Sequence, residues 1–183
     1  KKPLNGWATT SNYTAKLTAS GTNDYFFGRS VSISNNTIVV GGASSAYVFD
    51  EPPAGWITTL TETAKLTDAD GSEDEFGYSV AVDENRIVVG APFDDIDGIS
   101  NKGSAYVYLR HKAGWKTTSN ENAKISASDG GGQLGRSLGI DGSNIYVGSY
   151  WVGNTGAVYI FSPKPFLDLP IEYSTFSIAA NGK

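Results

Sequence analysis

The stretch "DEFGYSVAVDENRIVVGAPFDDIDGISNKGSAYVY", residues 74–108, decides how this chain folds. It opens with two short apolar runs, "SVAV" at Ser79–Val82 and "RIVVG" at Arg86–Gly90, joined only by "DEN". Short runs rich in β-branched residues and separated by a tight polar connection read as a β-hairpin. "SAYVYL" at Ser104–Leu109 supplies a third strand of aromatic and β-branched residues, and "AKLT" at Ala64–Thr67 a fourth with alternating polarity. An amphipathic helix, with its 3.6-residue period, is predicted nowhere. Between the second and third strands lies an acidic loop that ends in glycine, Pro92–Gly103. Its role is open among metal site, binding surface and plain connection.

Working outward from that stretch, the whole pattern recurs. "GWATTSNYTAKLTAS" at Gly6–Ser20 returns as "GWITTLTETAKLTDA" at Gly55–Ala69 and "GWKTTSNENAKISAS" at Gly114–Ser128. The three tryptophans, Trp7, Trp56 and Trp115, are spaced by 49 and 59 residues. "FFGRSVSISNNTIVVGG", "EFGYSVAVDENRIVVGA" and "QLGRSLGIDGSNIYVGS" align next, followed by "SSAYVF", "GSAYVY" and "GAVYIF". Three copies of one four-stranded unit of about 50 residues, with length variation confined to loops, are the signature of β-propeller blades. Repetition at one position in every unit predicts that the tryptophans pack between blades, with a carbohydrate-stacking platform as the alternative.

Composition narrows the partners. At 183 residues the chain is long enough for a sizeable core, and one domain is the default. A net charge of −5 gives no basic footprint for nucleic acid or an anionic membrane. Zero cysteines exclude a disulfide framework, a thiolate-bound zinc and a thiol nucleophile. No apolar run approaches the 18 or so residues of a membrane span, so no membrane insertion is predicted. The absence of methionine, even at position 1, predicts a processed product or a fragment.

The repeats resemble the FG-GAP family, the blades of integrin-α-like β-propellers, in the type found in bacterial secreted and surface proteins. The residues that carry the resemblance are Phe27-Gly28, Phe76-Gly77 and, in altered form, Leu134-Gly135 for the FG element. Gly90-Ala91-Pro92 is a complete GAP, while Gly41-Gly42-Ala43 and Gly148-Ser149-Tyr150 depart from it. The resemblance covers residues 6–161 and implies an all-β chain of three four-stranded antiparallel blades, a partial or assembled β-propeller. The repeats fall at about 6–54, 55–113 and 114–162, within a propeller region 1–162. The order of parts is fourth strand, then first, second and third, three times over, which permits ring closure by the first strand of the chain. Three blades are fewer than the usual four to eight. Additional blades of a longer propeller, a ring shared between self-associating chains, and an open stack are the three readings, and the first is preferred.

The acidic loops are the candidate metal sites. "DADGSEDEFG" places Asp68, Asp70, Ser72 and Asp74 at alternate positions, and "FDDIDG" supplies Asp94, Asp95 and Asp97 before Gly98. Alternating oxygen ligands with carboxylate charge suit calcium. The spacing falls short of a full EF-hand loop. The resemblance implies calcium in the hairpin between strands one and two, yet that hairpin is only "SNN", "DEN" or "DGS" here. Calcium is therefore an expectation for the middle repeat alone, weighed against solvated turns with aspartate caps.

Catalysis finds few residues. The single histidine, His111, lies in a polar turn, "LRHKAGW", and no phosphate cradle precedes a helix. The reading is a non-catalytic extracellular recognition or adhesion module, secreted or on the cell surface, that binds a protein or carbohydrate ligand. A structural spacer and a propeller-based glycosidase or polysaccharide lyase are the alternatives. By analogy with the family, the loops Ala43–Ser45, Pro92–Gly103 and Tyr150–Gly156 share one face with the loops between strands four and one. Phe93, Tyr150 and Trp151 are the candidate ligand contacts there. Residues 163–183, with prolines at 163, 165 and 170, read as a linker, and "FSIAANGK" resembles the start of a type IX sorting domain, with "AA" where that domain has "YPNP".

Overall fold

The computed structural model describes residues 10–21, 24–59, 61–69, 74–153 and 155–163, and the remaining linker and sorting-domain reading of residues 164–183 lies outside them. Three antiparallel sheets follow one another along the chain. The first blade is β1 (Ser30–Ser34), β2 (Thr37–Gly41), β3 (Ala46–Asp50) and β4 (Ala64–Leu66). The second is β5 (Ser79–Val82), β6 (Arg86–Ala91), β7 (Ser104–Leu109) and β8 (Ala123–Ile125). The third is β9 (Leu134–Asp141), β10 (Asn144–Ser149) and β11 (Ala157–Phe161). Within each sheet, neighbours in sequence are neighbours in space. No helix occurs among the described residues.

Local chemistry explains the hairpins. In "DEN" the Asp83 carboxylate accepts from the backbone N–H groups of Asn85 and Arg86, a side-chain cap that closes the turn. Its equivalents turn through left-handed residues, Asn35 at φ 49° and Gly142 at φ 55°. The second and third strands of the middle blade are buried on both faces, which is why they read as continuous apolar runs.

The "AKL" element closes the blade that precedes it. Lys65 pairs with Tyr47 across β3 and β4, and Lys124 with Tyr106 across β7 and β8. Each ammonium lies over the ring of its tyrosine, at 5.2 and 4.9 Å from the centroid. In the third blade the last strand is β11, with no fourth strand beside it among the described residues, as the order of parts implies. The first copy, at Ala15–Leu17, forms only an isolated parallel bridge between Leu17 and Thr59.

Two apolar clusters hold the blades together. Val39, Ala46 and Val48 of the first blade pack with Phe76, Val80 and Val82 of the second. Val88, Ala105 and Val107 of the second pack with Leu134, Leu138 and Ile140 of the third. Trp115 is buried in the first of these clusters and Trp56 is half-buried against blade one, while Trp7 lies outside the described residues.

Glycines set how near the blades approach. A Cβ on Gly41 would overlap the Gly77 carbonyl, and one on Gly90 would overlap the Gly135 carbonyl. The FG glycine of each following blade therefore lies directly on the GAP glycine of the blade before it. The same carbonyls accept hydrogen bonds from Ser30 Oγ (3.1 Å) and Ser79 Oγ (2.6 Å). The FG turn that delivers the carbonyl is left-handed twice, at Glu75 (φ 54°) and Gly77 (φ 102°), then at Gln133 (φ 55°) and Gly135 (φ 98°).

Gly90→Ala therefore destabilises the chain by about 3 kcal/mol, the upper part of the range for overpacking a close-packed site. Gly139→Ala, whose Cβ would meet only Tyr146 Cβ at 3.8 Å, serves as the neutral comparison. Urea unfolding monitored by fluorescence measures both.

Candidate functional site: the loop face

The second-to-third-strand loops and the fourth-to-first-strand loops do share one face, because backbone hydrogen bonds join them in every blade. Ala43 N donates to Tyr25 O at 2.8 Å, Phe93 N to Asp74 O at 3.3 Å and Trp151 N to Gly132 O at 3.0 Å. The long acidic loop of the middle blade also reaches across the seam. Gln133 N donates to Asn101 O at 2.9 Å and Leu134 N to Lys102 O at 3.1 Å. The loop is thus a clasp between the second and third blades.

Its anchor is Asp94, buried with 1 % of its surface exposed. The Ser104 hydroxyl donates to its carboxylate, as does the Tyr106 hydroxyl at 3.0 Å, and Lys124 Nζ pairs with it at 2.7 Å. A tyrosine–aspartate pair recurs at the equivalent place in each blade: Tyr47 donates to Asp24 at 2.8 Å and Tyr159 to Asp129 at 2.8 Å. The tyrosine keeps its place in the third strand, while its acid comes from the fourth-to-first loop in the outer blades and from the second-to-third loop in the middle one. Burial raises the hydroxyl pKa of Tyr47 and Tyr106 well above the usual value. The nearby carboxylate adds to the shift, while Lys124 opposes it at Tyr106. Lys124 itself is held above its usual range, the Asp94 carboxylate and the Tyr106 hydroxyl outweighing the opposing effect of burial.

The candidate calcium residues that the structure describes do not converge. Asp95 accepts from Asn101 N at 2.7 Å, and Asp97 lies 3.6 Å from Lys102 Nζ. Asp68 and Asp74 are buried and engaged within the protein, and Asp70 and Ser72 lie outside the described residues. Among the described residues no three acidic or histidine side chains share a metal-sized site. His111 is exposed, and its carbonyl accepts from Gly114 N within the turn.

The candidate aromatic contacts do come together, around a residue the sequence reading passed over. Arg136 lies over Tyr78 at 5.0 Å, Phe93 at 5.5 Å and Tyr150 at 5.1 Å, and its Nη1 donates to the Tyr78 hydroxyl at 2.8 Å. Arg29 also lies over the Tyr78 ring, at 3.8 Å, while its guanidinium pairs with Glu75 at 2.6 Å. Trp151 meets Tyr150 edge to face, with centroids 5.7 Å apart, and both rings are more than half exposed. Arg29, Tyr78 and Arg136 each directly follow the FG glycine, so one position of the repeat builds a row across all three blades. Comparing "FGR", "FGY" and "LGR" at that position is the signal that would have found them.

Two outcomes test the clasp. Asp94→Ala leaves Lys124 and the two hydroxyls without their acceptor and lowers stability by about 3 kcal/mol, measured by chemical unfolding. Tyr47 and Tyr106 keep their protons in the folded state at a pH where the unfolded chain has released them. Stability is therefore full below about pH 10 and falls as the pH rises further, which thermal unfolding at stepped alkaline pH would record.

Of the comparisons with known proteins, the family match agrees with this architecture. The FG-GAP repeat family matches residues 12–49 and 60–108. Among solved structures, the computationally designed Ika4 protein is similar at 12% identity and a TM-score of 0.39, over 85% of this chain and 100% of that one. No curated protein matches the chain. With its FG turns seated on GAP glycines in successive antiparallel blades, the chain belongs to the FG-GAP repeat family and is an all-β module of the β-propeller type.

Proposed function

We propose that the chain is a non-catalytic extracellular recognition module that holds a protein or carbohydrate ligand on its loop face. The observation that carries the reading is the row Arg29, Tyr78, Arg136 and Tyr150, with Trp151 beside it. Exposed rings next to a guanidinium offer a ligand both a stacking surface and hydrogen-bond donors. The row stands on the close-packed seam, so its groups are positioned before a ligand arrives and little ordering is needed on binding. FG-GAP repeats are typical of extracellular and surface proteins, in accord with that setting.

The test is binding of the 183-residue chain to immobilised neutral polysaccharides, acidic polysaccharides and cell-surface proteins. Arg136→Gln combined with Trp151→Ala removes a charge-assisted donor and a stacking surface. The pair weakens binding by at least about tenfold at unchanged helix-free circular dichroism. Equal affinity of the double variant, or no binding to any of the three classes, contradicts the reading.

A further inference from the structure

We propose that two copies of this chain join head to tail, the first blade of each docking on the third blade of the other, to close a six-bladed ring. The seat it uses borders the proposed ligand row, since Arg136, Tyr150 and Trp151 line the same cleft. It rests on junctions that the chain already builds twice within itself and that, among the described residues, stand half-built on the first and third blades.

The apolar halves match first. At the internal junctions Val80 and Val82 of β5 are 7% and 8% exposed, packed near Ala46 and Val48, both 0% exposed. The same register positions in the first blade are Val31 and Ile33, here 68% and 61% exposed. The counterparts of Ala46 and Val48 in the third blade are Val158 and Ile160, 68% and 62% exposed. Two bare apolar faces thus stand at opposite ends of the stack, one of each kind that the internal junctions bring together.

The FG turn and its seat match next. Gly28 (φ 96°) follows left-handed Phe26 (φ 65°), repeating the turns at Gly77 and Gly135, yet a Cβ on Gly28 would meet nothing within 4 Å. At the far end a cleft of about 580 Å³ is lined by Ser137, Gly148, Ser149, Gly156 and Ala157. These residues correspond to Ser79, Gly90, Ala91, Gly103 and Ser104, the seat in which the Gly135 turn already rests.

The fourth strand matches last. Residues 15–18 repeat the three hydrogen bonds that tie β4 to the threonines of the repeat after it. Lys16 N donates to Thr58 Oγ1 at 3.2 Å as Lys65 N does to Thr117 Oγ1 at 3.1 Å. Thr18 N donates to Thr59 O and Thr59 N to Lys16 O, both at 3.1 Å. Thr67 N and Thr118 N make the corresponding bonds at 3.2 and 3.0 Å. Ala15–Leu17 is therefore already placed as the last strand of a blade ahead of the first, and among the described residues the third blade shows an open edge at β11. Docking would pair Lys16 with Tyr159, the register of Lys65 with Tyr47 and Lys124 with Tyr106. An open strand edge and a bare apolar face are both hazards that pairing removes.

A head-to-tail contact closes a ring only if the rotation fits, and otherwise grows a fibre. Two copies give six blades, inside the usual range of about four to eight, whereas three would exceed it.

Sedimentation equilibrium of the 183-residue chain over a wide concentration range tests this. The expected mass is twice 19.4 kDa. Ile33→Lys on one face and Gly148→Ala in the seat on the other each give a monomer with unchanged circular dichroism. At Gly148 the three atoms nearest an added Cβ all belong to Ser137 of the same blade, and the closest is its hydroxyl oxygen, which turning χ1 moves aside without displacing backbone. Val158→Glu is the second variant for that face. An equimolar mixture of Ile33→Lys and Gly148→Ala regains a weaker dimer, because one of its two junctions is wild type on both sides. A monomer at every concentration assigns the faces to blades outside this chain and overturns the proposal. So do a trimer, an open polymer, or a dimer that both variants leave intact.

Discussion

The approach of two glycines across each seam is the constraint on which the rest of the structure depends. Gly41 and Gly90 have no room for a side chain because the carbonyls of Gly77 and Gly135 occupy that space. The carbonyls are held there by the hydroxyls of Ser30 and Ser79 and delivered by turns with two left-handed residues each. Once the backbones are this close, the valines of the following first strand must fall on the alanine and valine of the preceding third strand. The apolar clusters are therefore a consequence of the glycine contact as well as a source of stability.

The loop face takes its rigidity from the same seam. Arg29, Tyr78 and Arg136 come directly after the FG glycines, so each blade presents one member of the row at a fixed height. The middle blade adds a longer loop, and its Asp94 ties that loop to the third and fourth strands. Asp94 satisfies two hydroxyls and an ammonium in a nearly dry site, where an unpaired carboxylate would be costly. The two outer blades solve the same problem for Tyr47 and Tyr159 with Asp24 and Asp129. A recurring need for an acceptor at one tyrosine, met from different loops, accounts for Asp24, Asp94 and Asp129.

Strand positions were legible because repetition supplied three readings of each element. Ser79–Val82, Arg86–Gly90 and Ser104–Leu109 lie within a residue of their observed ends, since apolar runs bounded by Asp, Asn and Gly leave few alternatives. The meeting of Phe93 and Tyr150 at one guanidinium was half legible: both rings were chosen, but Arg136 comes from the first strand of the third blade and reaches Phe93 only across the seam. The partners of Asp94 were hidden for the same reason, because Lys124 is 30 residues away and reaches it only after the fourth strand docks. Local sequence shows what a residue can bond, and the seam determines what it meets.

Amide hydrogen exchange across the two seams tests most directly whether glycine contact makes the blades one unit. The account predicts that Gly77, Tyr78, Gly103 and Leu134, whose amides bond at or across the seams, exchange only by the same global opening as the amides of β6 and β10. Exchange of the third blade at a distinctly lower free energy, with the first two still protected, would contradict it and make the blades independent modules on a string.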